Sequence, residues 1–188
     1  MIQSVLQVLS GELNSFLELQ TEPVERPLVI MSALARQDGS PAIQAENRLV
    51  CTLVNIEQER TALNAPSGNK LFRSNNPVHL NLYVLFSAYF APRNYPQALA
   101  AISATIAFFQ SKSTFTHQDT PELPFNVSKI IVEMVSLDIT ELNNLWSVLG
   151  AKHLPSVLFR IKMVSVSTGT LIEEFARIST IESQSNTE

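Results

Sequence analysis

Residues 78–90, VHLNLYVLFSAYF, constrain the fold more than any other stretch. Val78, Leu80, Leu82, Val84, Phe86, Ala88 and Phe90 recur at every second position. That period belongs to a strand with one face against a core. The opposite positions, His79, Asn81, Tyr83, Leu85, Ser87 and Tyr89, are mixed. A strand with one fully apolar face needs partner strands and a covering layer, so the chain must build a sheet.

The other elements are read around this strand. Residues 2–19 place Ile2, Val5, Leu6, Leu9, Leu13, Phe16 and Leu17 on one helical face. Short strands are expected at 27–33 and 49–56. In the second, Leu49, Cys51 and Leu53 lie on one face, with Val50, Val54 and Ile56 on the other. Asn94 followed by Gln97 resembles a capping box for a helix reaching Ser111, with Tyr95, Ala98, Leu99, Ile102, Ile106 and Phe109 inward. Residues 129–135 and 157–166 read as strands, and 170–181 as a last strand. Asp138 with Glu141 caps a helix over 139–149 that Gly150 ends. Loops fill 37–48, 62–77 and 111–127. The order predicts an α/β fold: one domain over 1–181, a mixed β-sheet flanked by about three helices, and a disordered tail at 182–188.

Composition narrows the function. Charged residues are 16% of 188 and apolar residues 45%, with a net charge of −4. The 13 basic residues form no stripe, which excludes a nucleic-acid surface. Residues 94–111 carry no charge, but Asn94, Gln97, Ser103, Thr105 and Gln110 oppose membrane insertion. The single cysteine, Cys51, permits no internal disulfide, and the first basic residue is Arg26. Synthesis in the cytoplasm without a signal peptide is the expectation.

A search for chemistry returns nothing. Five glycines form no phosphate loop; PSGNK at 66–70 lacks the second glycine and the hydroxyl residue that motif requires. His79, His117 and His153 are isolated, without the spacing of metal ligands. Cys51 sits in an apolar strand as a small hydrophobe. Glu57 and Glu59 read as a solvated strand end, Glu173 and Glu174 point to opposite faces, and Trp146 falls on an apolar helix stripe. No catalytic residue, cofactor or metal is expected.

Interfaces are expected instead. On the second helix Ala100, Ala101, Ser103, Ala104 and Ala107 make a small, uncharged face where a solvated helix would carry Lys and Glu. At 170–181, Leu171, Phe175 and Arg177 belong to a strand able to add to a neighbour's sheet edge.

The segments LNLYVLFSAYF (80–90), NYPQALAAISATIAFFQSKSTFT (94–116) and ITELNNLWSVLGAKHLPSVLFRIKMV (139–164), with LVNIEQER (53–60), resemble the cap-protein domain of extracellular contractile injection systems such as antifeeding-prophage-like particles. The resemblance spans residues 2–167. It implies a tail-terminator-like fold and a homohexameric ring that ends inner-tube and sheath polymerisation away from the baseplate. The implied partners are this chain itself, the inner-tube protein and the sheath protein, within a particle released or docked to a membrane. A small α/β enzyme or ligand-binding domain, or a phage head–tail completion subunit, are the competing readings.

Overall fold

The computed structural model describes residues 1–20, 28–59 and 79–165. Helix α1 (Ile2–Gln20) opens the chain. Strands β1 (Val29–Met31), β2 (Arg48–Gln58) and β3 (His79–Tyr89) follow. A 3-10 turn at Pro92–Asn94 leads into α2 (Tyr95–Ser111), then β4 (Thr114–Thr116), β5 (Val127–Val135), α3 (Ile139–Leu149) and β6 (Ser156–Ser165). The six strands form one sheet in the order β1-β2-β3-β6-β5-β4. Only β1 and β2 pair in parallel; the other ladders are antiparallel.

Strand β3 does what its period dictates. Leu82, Val84, Phe86 and Ala88 are buried toward α1 and α2. There they meet Val5, Leu9, Leu13, Phe108 and Phe109 from the helices, and Phe159, Ile161 and Met163 from β6. Each such side chain contributes about 1.5–3 kcal/mol when fully buried. An aromatic cluster fills the centre: the Phe109 ring lies 4.7 Å from Phe159, 4.9 Å from Phe108 and 5.5 Å from Phe86.

The opposite face carries a smaller core at one end. Leu85, Val50 and Leu158 of the sheet pack on Trp146 of α3 and on Leu34 and Ile43 from the segment between β1 and β2. The α3 capping box is present: Glu141 N donates to Asp138 Oδ1 at 2.7 Å, and Asp138 N to Glu141 Oε2 at 3.0 Å. Gly150 closes the helix at φ 63°, a left-handed conformation that glycine adopts without steric cost.

Four expectations are corrected. Asn94 makes no capping bond to its helix; its Nδ2 donates to Asn47 Oδ1 at 2.9 Å, tying the entry of α2 to the entry of β2. Residues 114–116, expected in a loop, form edge strand β4. Strand β2 bulges at Val54: Leu53 pairs with Val84 but Asn55 already pairs with Tyr83. The extra residue inverts the alternation beyond it, so Ile56 lies opposite Leu82, on the α1–α2 side and not with Val50. On α2, Tyr95 and Leu99 are exposed while Ala101, Thr105 and Phe108 are buried. The expected strand at 170–181, the tail and the 62–77 loop lie outside the described residues.

One contact closes a sheet edge. Asn14 of α1 donates from Nδ2 to Val29 O at 3.2 Å and accepts at Oδ1 from Val29 N at 2.8 Å. The amide supplies the two bonds that a further strand would make, so β1 offers no open edge at this residue.

Candidate interface surfaces

The described residues contain no group of His, Cys, Asp and Glu able to hold a metal. Cys51 is buried, and burial pushes its thiol up to about 11. It is therefore a neutral hydrophobe near neutral pH. No described helix is long and apolar enough to cross a membrane.

The half of the second sheet face beyond α3 carries a polar ladder across four strands. Glu133 of β5 accepts from Lys162 Nζ at 2.8 Å and from Arg160 Nε at 3.2 Å, both on β6. Tyr83 of β3 donates to Glu57 of β2 at 3.0 Å. Hydrogen bonds from Lys162, then Arg160, hold the Glu133 carboxyl below the usual glutamate range. Glu133 is thus a fixed acceptor with no spare proton near neutrality. Glu57 is likewise a hydrogen-bond acceptor on its strand.

Helix α2 divides the small residues that the sequence groups together. Ala100, Ser103 and Ala107 are exposed, in line with Pro96 and Gln110. Ala101 is buried, and Ala104 is half-buried on the core. Ala101 lies on the same helical row as Thr105 and Phe108. The Phe108 ring meets Phe16 of α1 at 5.2 Å. Ala101 is 5% exposed, so little of its side chain is left open on this chain. The outward row is narrower than expected and carries no charge. Leu171, Phe175 and Arg177 lie outside the described residues.

Two further surfaces were not singled out by sequence. A cavity of about 390 Å³ opens between the segment after β1 and the end of α3, lined by Leu34, Pro41, Ile43, Tyr89, Ala151 and Leu154 among others. At the entry of β5, Phe125 is 82% exposed. The phenylalanine flanked by Pro124 and Asn126 is the only signal that could have marked it; the cavity is assembled from distant segments.

A model of the Pvc16 N-terminal domain family matches residues 4–177. The chain belongs to the Pvc16 N-terminal domain family. Two solved structures share its fold. One is the sheath/tube terminator of the PVC extracellular contractile injection system in the extended state, 13% identical, with a TM-score of 0.56 over 89% of this chain and 57% of that one. The other is the tube-terminating cap of the anti-feeding prophage, 16% identical, with a TM-score of 0.57 over 87% of this chain and 54% of that one. The chain thus spans just over half the length of each. No curated protein sequence matches it.

Proposed function

We propose that this Pvc16 N-terminal domain is a structural cap that terminates the inner tube and sheath of a contractile injection particle, at the end away from the baseplate. The observation that carries the reading is the shared fold over nearly nine-tenths of the chain with two proteins described as terminators. The work of a cap is done by contact surfaces, which agrees with the low charge and the uncharged outward row of α2. The cap acts as a homohexameric ring bound to inner-tube and sheath proteins. It is not an enzyme and binds no nucleic acid. It assembles in the cytoplasm, as part of a particle that is released or docked to a membrane.

Ala100, Ser103 and Ala107 are the proposed ring or sheath contact on α2. Leu171, Phe175 and Arg177 are proposed, on their sequence pattern alone, as a contact with a neighbouring subunit or the sheath. Deleting the gene should give particles of uncontrolled tube or sheath length, or none. Particles of normal length and stability in electron micrographs would sink the reading.

A further inference from the structure

We infer that residues 170–176 of this chain add to its own sheet, as a strand antiparallel to the second half of β2. This goes beyond the cap proposal and does not depend on it. Strand β1 pairs with β2 only from Leu49 to Cys51. Beyond Cys51, β2 continues to Gln58 with β3 on one side; among the described residues no strand lies on the other. The ladder bonds show which groups this leaves. Leu49 N donates to Leu28 O and Ser32 N to Cys51 O, so Leu49 and Cys51 turn toward β1, and Leu53, two residues on, turns the same way. Past the bulge, Glu59 N donates to His79 O, so Ile56 and Gln58 turn away from β3. Asn55 Oδ1 accepts from Ile56 N at 2.9 Å. Asn55 to Gln58 are all exposed.

Elsewhere the chain bonds its own rim. Asn14 takes both outward groups of Val29 on β1. On β4, Thr116 N donates to Asp119 Oδ1 at 2.7 Å and Thr116 O accepts from Thr120 N at 2.8 Å. No described hydrogen bond of this kind holds Leu53 or Gln58. A row of outward N–H and C=O groups is a template for one more strand.

The place where the chain leaves β6 selects the occupant. Val164 pairs with His79, which accepts from Glu59, so β6 ends level with the end of β2. The open rim lies three strand spacings from β6, about 14 Å at 4.8 Å each. Five residue steps from Ser165 to Thr170 reach about 17 Å. Strands β2 and β6 are both antiparallel to β3, so a chain that turns back after β6 runs antiparallel to β2. Leu53 to Gln58 extend about 20 Å, the length of six or seven residues. The return beside β2 gives the fourth-first-second-third order of a Greek key, with the β2–β3 link nested inside it. In such a strand Leu171 and Phe175 share a face. Ile56, 46% exposed, and the half-buried Leu53 offer them apolar surface on the α1–α2 side. The family match also runs past β6 to residue 177. The added strand becomes the outer rim of the sheet, so the neighbour contact proposed for this segment is made from there.

Amide hydrogen exchange of the full chain, resolved by residue and run at several protein concentrations, tests this. The Leu53 and Gln58 amides should exchange at least about tenfold more slowly than unprotected amides. Ile172 and Phe175 differ in parity, so replacing both by proline removes one ladder N–H whichever face meets β2. The double variant Ile172→Pro/Phe175→Pro should return Leu53 and Gln58 to unprotected rates. Thr52 and Glu57, which bond to β3, should stay protected and show that the rest of the sheet is intact. Three results overturn the pairing: unprotected Leu53 and Gln58 in the parent, protection that the double variant leaves unchanged, or protection that rises with concentration. The second would mean that another segment covers the rim, and the third that a second copy supplies the strand. Particle length after gene deletion tests the cap reading separately, so the two fail independently.

Discussion

The two faces of α2 should respond to substitution in opposite ways. Phe109 is 3% exposed and touches four aromatic rings, those of Phe86, Phe108, Phe115 and Phe159. Replacing it by Ala removes a buried ring and leaves a void among side chains held by both helix and sheet. Such changes cost about 3–5 kcal/mol, and lost aromatic pairs add about 0.5–1.5 kcal/mol each. With four partners the expected loss is at the upper end, about 4–5 kcal/mol. For a domain of this size that lowers Tm by about 8–20 °C. Ser103, one and a half turns earlier, is exposed, and its Oγ only returns to Leu99 O at 2.9 Å. Ser103→Glu should change stability by less than about 0.5 kcal/mol, yet place a charge in the outward row and exclude the protein from particles. Urea unfolding followed by far-UV circular dichroism measures both, with an unchanged m-value as the check that the transition is the same one. A Phe109→Ala loss below about 1.5 kcal/mol, or a Ser103→Glu loss above about 2 kcal/mol, would refute this division of the helix.

Asn14→Ala should expose the outward N–H and C=O of Val29, at a cost of about 1–2 kcal/mol. The Val29 amide should exchange with solvent faster, and unchanged protection would remove the edge-closing role. Glu133 has a folded-state pKa below its unfolded value. Its contribution is therefore present above the usual glutamate range and lost as pH falls through the lower, folded value. Glu133→Gln should destabilise near neutral pH by less than about 1 kcal/mol, because the side chain is 37% exposed and screened. It should also flatten the acid limb of stability against pH below about 4.5; an unchanged limb would show that the ladder is not coupled to folding.

Periodicity carried most of the fold. The alternation of β3 sets both faces of the sheet, and the Asp138–Glu141 box marks α3 from its first turn, because both signals are local. What escaped depends on distant partners. The bulge at Val54 has no residue signature in LVNIEQ; it exists because Leu53 and Asn55 must meet Val84 and Tyr83. Asn94 has the side chain of a helix cap, but Asn47, 47 residues away, takes it. Thr114–Thr116 is too short to show a period. Helix α2 is apolar nearly all round, so its sequence could not separate Ala101, which is buried, from Ala100, which is exposed. The resemblance to contractile-system caps was legible in LNLYVLF, FFQSK and NNLW, and the family match over residues 4–177 agrees with it.

The strand order sets a timetable for folding. Strand β6, the last described in the chain, lies between β3 and β5. Until Ser156–Ser165 has left the ribosome, β3 and β5 each keep an unpaired edge, and Phe159, Ile161 and Met163 are missing from the core. A sheet closed by its late central strand relies on contacts remote in sequence and folds slowly. The nascent chain therefore passes through a period with two sticky edges, when pairing with another nascent copy competes with completing its own sheet.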